Sequence, residues 1–413
     1  MKKILTAVTS GLVLLAVWLY PAKNANAIPA WGRKYNADCS MCHTAYPRLN
    51  ATGHKFRRMG YKMPADFDSK DVQFSADDLA KFGNYFSARG RPRVVWSKTK
   101  GATANFDFQM HDVTLFYAGP VTRNFAFFFE LPFEPETGAG ELEVGQLLAN
   151  FGNSDSFFTM RAGQFHQFSG VGSGALDRPI ALTRPSVMTT RINGFRLQHD
   201  GAGAEVGYSN GDFTGLIQVN NGVNAAGTGS VLDNNDPNKT KDVGVLLEYL
   251  IPDHDASLSA LYVFGMEPTP TSVTVVPDGI GLTNTVFNRF YLFADYTFDD
   301  IGLKPIVGGS IGLDNQFFTG TTLITSANSR SWFAFGELDQ KIKDELYAVA
   351  RFDYFDPTNQ DESVSGTSKT WAGTGSLVWQ VQKFLRTTLE YQVNDNSARN
   401  AAHSVTGELQ LVF

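Results

Sequence analysis

Over 84–413 the chain alternates apolar and polar residues in short runs separated by turns. In 125–133, Phe125, Phe127, Phe129, Leu131 and Phe133 share one face, and Ala126, Phe128, Glu130 and Pro132 share the other. In 385–393, Leu385, Thr387, Leu389, Tyr391 and Val393 oppose Arg386, Thr388, Glu390 and Gln392. The C-terminus repeats the pattern, with Val405, Gly407, Leu409, Leu411 and Phe413 set against Thr406, Glu408 and Gln410. A period of two with one apolar and one charged face predicts strands between lipid and a wet lumen. Soluble sandwiches alternate in the same way, so connection lengths must decide. Short turns at 210–212, 252–255, 299–304 and 382–383 alternate with long polar loops near 167–190, 221–240, 267–285, 316–328 and 356–368. Outer-membrane barrels alternate short periplasmic turns with long outer loops in this manner.

Parity then sets the strand count. Splitting 194–209 at Asp200-Gly201 gives seventeen strands and puts the 221–240 loop on the wrong side. Treating 194–209 as one bent strand, with Gly201 and Gly203 at a bulge, gives sixteen, an even number. The expected fold is an all-β transmembrane barrel of about 16 antiparallel strands over 83–413. Closure leaves no backbone edge unsatisfied in lipid, and that many strands enclose a lumen wide enough for water or a plug. Phe413, in the lipid-facing register, suits the C-terminal aromatic of such barrels.

Ahead of the barrel the texture differs. Lys2 and Lys3 precede an apolar run over 4–20, and Ala25-Asn26-Ala27 supplies a small-x-small cleavage pattern, so 1–27 reads as a signal peptide. No later run of about 18 apolar residues offers a transmembrane helix. The segment 28–82 has helical patches, and around the cysteine motif it is basic: Arg33, Lys34, Arg48, Lys55, Arg57, Arg58 and Lys62, with Asp38 opposing them. The whole chain carries −6, with 39 Gly and 33 Phe and only 18% charged residues. That balance suits strands and turns and argues against nucleic acid as a partner.

The two cysteines sit together in Cys39-Ser40-Met41-Cys42-His43, the Cys-x-x-Cys-His sequence of c-type haem attachment. Two thiols add to the two vinyl groups of one porphyrin edge, and the adjacent His43 reaches the iron as proximal ligand. Other readings are a chance match, a thioredoxin-like dithiol or half a zinc site. Zinc wants further Cys or His at regular spacing, and a dithiol enzyme wants a βαβ context. For the sixth position the candidates are Met63 and His54, with Met59 and the strand residue His111 also in view, and an open site remains an alternative. A Met ligand raises the reduction potential.

The basic segment has two uses besides solvation: pairing with haem propionates, and seating as a plug against an acidic lumen. Lumen acids are expected at Glu130, Glu134, Glu141, Glu143, Glu337, Asp353, Glu390 and Glu408. A barrel's apolar band is about 25 Å tall, and tunnelling weakens steeply with distance. A single haem is best placed inside the lumen, so 28–82 is expected to be a small α-helical haem segment acting as plug.

These residues, together with Pro47-x-Leu49, Gly53, Phe56 and Gly60-Tyr61 and followed by a porin-like barrel, resemble the fused monohaem cytochrome c–porins of iron-oxidising bacteria. The resemblance spans the mature chain in architecture and 29–61 in motif. Trp31-Gly32-Arg33 stands where that family often has Phe-Ala-Arg. It implies an outer-membrane iron(II) oxidase with one covalent haem c, passing electrons from extracellular iron(II) to a soluble periplasmic cytochrome or other carrier. The haem segment would lie on the periplasmic side or inside the lumen. Asp233, Asp236, Asp361 and Glu362 are loop acids able to gather iron weakly, or simply to solvate the loops. The alternatives are a diffusion porin with a structural or sensory haem, and a haem barrel serving another extracellular donor or acceptor.

Overall fold

The computed structural model describes residues 30–69, 82–134, 139–140, 144–166, 179–190, 200–222, 241–267, 285–315, 317–319, 322–325, 328–357, 369–396 and 401–413, with 192 and 195–197. The signal peptide, Asp233, Asp236, Asp361, Glu362, Glu141 and Glu143 lie outside the described residues, as does the Glu134 side chain.

Sixteen antiparallel strands form a closed barrel. The first, Phe86–Thr99, pairs with the last, Ala402–Val412. Phe413 completes the seam by exchanging both backbone hydrogen bonds with Ala88, at 2.7 and 2.9 Å. A two-residue piece, Ala139–Gly140, adds to one edge of Phe125–Glu134, and a small hairpin of Phe317–Thr319 and Thr322–Thr325 stands apart from the wall. Among the described residues no helix is long and apolar enough to cross a membrane.

Burial is inverted relative to a soluble protein. Along Asp242–Ile251, Val243, Val245, Leu247 and Tyr249 are exposed, while Asp242, Leu246, Glu248 and Leu250 are buried. Leu247 is 47% exposed and its neighbour Glu248 only 1%. Phe125, Leu131 and Phe133 likewise point out, as do Leu389, Tyr391, Leu411 and Phe413. An outward apolar girdle over an ionic interior is the expected solution for strands in hydrocarbon. Inside, charges are tolerable because they are paired: Arg289 with Asp314, Arg93 with Glu408, and Arg161 with Glu205.

One expectation is corrected. The strand that follows Ser156–His166 is Asp200–Asn210, in unbroken register with it. Gly201 and Gly203 are ordinary ladder positions, and the described residues 195–197 are not part of the strand. The count of sixteen stands, but the bend does not. The reason is apolar content: Val187, Met188, Ile192, Phe195 and Leu197 are buried together with lumen-facing Leu216, Phe287, Phe293 and Phe335. The described parts of 179–197 therefore fold inward. They are held by Leu182 N–H donating to Glu390 (2.7 Å), Ser186 N–H donating to Asp353 (2.9 Å) and Arg351 donating to the Thr183 carbonyl (2.9 Å).

From the opposite side, 30–69 fills the mouth ringed by the short turns. Lys55 pairs with Asp212 at 2.7 Å, Thr44 donates to Asp255 at 2.6 Å, and Ser154 donates to Asp68 through its backbone and hydroxyl. Deeper in, Arg48 pairs with Glu337 (2.6 Å) and Asp339, and Arg58 with Glu248. A basic plug against an acidic lumen is thus what forms, and of the expected acids Glu337 is seen to meet it directly. Asp353 and Glu390 hold the inward loop instead. The two insertions touch where Ala45 packs against Ile180 and Ala181.

Candidate functional site

The cysteine motif is built by short-range hydrogen bonds. Cys39–Met41 is a single 3-10 turn whose cap, Asp38, accepts from Ser40 N–H at 3.2 Å. Asn50 caps the helix Ala51–Arg58 by accepting from Gly53 N–H at 2.9 Å. Its amide also donates to the carbonyls of Ser40 (3.1 Å) and Met41 (3.2 Å), and its backbone N–H donates to Cys42 O. One asparagine therefore ties the motif to the helix behind it. Gly53 makes the approach possible, since a Cβ there would collide with the Cys42 carbonyl.

His43 is oriented by its own chain. Its Nδ1 lies 3.1 Å from Pro47 O and 3.2 Å from Arg48 O. Carbonyls only accept, so Nδ1 carries the proton and Nε2 is the ring's lone-pair nitrogen. A ring nitrogen committed to a backbone carbonyl is the usual support for a ligating histidine.

Cys39, Cys42, His43 and Met63 line one cavity of about 1200 Å³, counting its open mouth. Trp31, Tyr35, Leu49, Phe56 and Tyr61 supply its apolar lining from the segment, and Phe116, Phe128 and Val412 from the barrel wall. Arg57 and Arg89 also border it. Trp31 stacks on Tyr61 at 4.9 Å, and Tyr61 stacks on Phe128 at 5.3 Å, so the plug's aromatic wall continues into the strand Phe125–Glu134. Tyr61 holds a left-handed backbone (φ +60°) after Gly60 (φ +69°), a conformation costly for a bulky residue. That turn delivers its ring between Trp31 and Phe128.

The other ligand candidates fall elsewhere. His54 is fully buried on the same helix, has partners of its own and does not line the cavity. Met59 packs with Phe67 and Phe157. His111 sits on Asn105–Pro120 at a register shift opposite Gly90–Pro92 and does not border this cavity. Among the sulfur and imidazole candidates named from sequence, Met63 alone shares the cavity with His43. Among the described residues no three His, Cys, Asp or Glu side chains gather as a metal site of their own.

Electrostatics separate the motif from a reactive dithiol. Burial pushes both thiols above the ordinary range, with Asp38 adding to the effect at Cys39 and Cys39 at Cys42. A redox dithiol needs a lowered value. Asp38 itself is held low, mainly by its hydrogen bond to Lys383 at 2.7 Å. Lys62, whose ammonium donates to Arg123 O at 2.6 Å, is pushed down to about 8 by burial, with Lys34 and Arg123 contributing.

Sequence reasoning missed the barrel's share of the site. Arg89, Phe116, Phe128 and Val412 are brought to the cavity by closure, and no local pattern marks them.

No family model matches the chain, and no curated protein does. Solved structures do. OprB of Pseudomonas putida superposes with a TM-score of 0.56 at 9% identity, covering 82% of this chain and 96% of that one. An anion-selective porin from Comamonas acidovorans gives 0.54 at 10%, covering 79% and 99%. The outer-membrane channel DcaP of Acinetobacter baumannii gives 0.52 at 10%, covering 79% and 97%. At such identities the likeness establishes the fold: this chain has the barrel of outer-membrane porins.

Proposed function

We propose that the protein is an outer-membrane monohaem cytochrome–porin that transfers electrons from extracellular iron(II) to a periplasmic carrier. One observation carries the haem assignment: His43, with Nδ1 committed to two carbonyls, shares an apolar cavity with both cysteines and Met63. The donor set fits haem c. Cys39 and Cys42 would hold the porphyrin covalently, and His43, with Met63 as the second candidate, would offer the iron its protein ligands. Arg57 and Arg89 are placed to meet propionates. When bound, haem supplies a one-electron couple, tuned by axial ligands and burial.

The chain's own residues do the rest. Trp31, Phe56, Tyr61 and Phe128 give the cavity an apolar wall. Arg48, Lys55 and Arg58 fix the segment at the short-turn end, the periplasmic end in barrels of this kind. Iron(II) as the donor rests on the family resemblance.

The test is anaerobic addition of iron(II) to the purified haem-loaded protein, followed by its absorption bands. Reduced-haem bands support the reading. Reduction by a strong reductant but not by iron(II) removes iron as donor and leaves the haem barrel. Absence of covalent haem removes both. The diffusion-porin alternative is disfavoured by the filled mouth and predicts sugar-dependent liposome swelling, which a plugged barrel does not give.

A further inference from the structure

A vestibule of about 1060 Å³, counting its open side, lies between the plug and the wall at the short-turn end. Ser40, His43 and Thr44 bound it from the plug, and Asp255, Asp299 and Lys341 from the turns. Its inner end is stopped where Ala45 packs on Ile180. His43 lines this vestibule as well as the cavity of the cysteines, so the periplasmic side comes within one side chain of that cavity.

Three successive turns of the rim edge the vestibule: 252–255, 299–302 and 341–345. Backbone hydrogen bonds lace them together, Thr297 N–H donating to His254 O at 3.2 Å and Lys341 N–H to Gly302 O at 2.7 Å. They carry Asp253, Asp255, Asp299, Asp300, Asp344 and Glu345 against Lys341 and Lys343. Asp255 pairs with Lys304 and Asp344 with Lys341, each at 3.0 Å. Asp253, Asp299 and Asp300 are exposed and form no salt bridge among the described residues. Ile301, 60% exposed, stands beside Asp300 at the tip of its turn. Other short turns are balanced or carry a single charge: Asp212 pairs with Lys55, Lys383 with Asp38, and 121–124 and 153–155 carry Arg123 and Asp155. The arc's carboxylates are too dispersed to chelate an ion. Negative charge spread over a rigid surface around an apolar tip suits a broad cationic face, which it attracts from a distance.

We infer that this acidic arc is the docking surface for a small soluble one-electron carrier with a basic face, seated over the vestibule and so beside His43. That the partner is a redox carrier rests on the proposed function; the contact itself rests on the charge and placement of the three turns.

The probe is a strongly basic soluble cytochrome c, with the same cytochrome succinylated at its lysines as the charge-reversed control. Its binding to the full-length, detergent-solubilised protein is followed by biolayer interferometry. Rapid, reversible binding that weakens with salt is expected, with none for the succinylated probe. Asp299→Lys/Asp300→Lys should slow association about tenfold or more at low salt. Asp155→Lys, on a turn outside the arc, should leave it nearly unchanged, with heat-modifiable gel mobility showing that each variant is a closed barrel. In the wild type, carbodiimide should cross-link probe lysines to Asp253, Asp299 or Asp300, read by mass spectrometry; this arm needs no variant to fold. The docking surface is overturned by a lack of salt-sensitive binding, by association unchanged in the double variant or slowed equally by Asp155→Lys, or by cross-links confined to other acids. None of these readouts requires haem reduction. Docking can therefore fail while the haem reading stands, and a protein lacking covalent haem would sink that reading while leaving the contact measurable.

Discussion

Along Asp242–Ile251 many apolar residues would serve at Val243, Val245 or Leu247, because lipid contact is non-directional. Over Cys39 to Tyr61, by contrast, position after position answers to one particular neighbour: Asn50 to two carbonyls of the cysteine turn, Gly53 to a third, His43 Nδ1 to two more, Tyr61 to the rings on either side of it. The wall is specified by a period and the plug by exact spacings. A wall can therefore drift in sequence while keeping its fold, which is consistent with barrels of the same fold at about a tenth identity. A plug cannot drift in this way.

That contrast can be broken by substitution. The largest effect is expected at His43→Ala: covalent haem absorbance falls to background, while the gel-mobility shift of the folded barrel persists. Loss of the barrel as well would mean that the two codes are not separable. Next comes Glu337→Ala, which strips a partner from both Arg48 of the plug and Arg351, the anchor of the inward loop. Each guanidinium keeps one carboxylate, Asp339 for Arg48 and Asp353 for Arg351, so the cost should fall at or below the low end of the about 3–5 kcal/mol of a stranded buried charge, read as a lower melting temperature together with increased single-channel conductance. On the wall, Leu247→Arg should cost about 2–4 kcal/mol near the bilayer midplane, whereas Leu247→Ile should stay within about 1.5 kcal/mol. A large penalty for the isoleucine would contradict a non-directional outer face.

The smallest effect is a pH dependence confined to the plug. Lys62 titrates near 8 in the folded protein against 10.5 for the ordinary group. Between those values the unfolded chain binds more protons, so stability should rise with pH over that window and be flat below it. Lys62→Met should remove the slope, as followed by urea melts from pH 7 to 11.

The wall was legible because its information is local. Alternation at 385–393 and 405–413 predicts which side chains face out, and turn lengths fix the parity. The error at 194–209 came from the same source: Ile192, Phe195 and Leu197 are apolar enough to look like wall, and nothing local distinguishes a strand facing lipid from a loop packed into the lumen. Within the site, Cys39, Cys42 and His43 are fixed by spacing alone. Choosing between Met63 and His54 required the helix to be placed, since the two lie nine residues apart and only one shares the cavity with His43. Arg48 meeting Glu337, 289 residues away, follows from closure of the cylinder and from no shorter pattern.

The seam has a consequence for biogenesis. With Phe86–Thr99 zipped to Ala402–Val412 and Phe413 bonded to Ala88, the sheet keeps two raw edges until these two strands meet. Arg89 and Val412 lie on those strands, so the cavity around Cys39 and Cys42 gains that part of its wall only when the cylinder shuts.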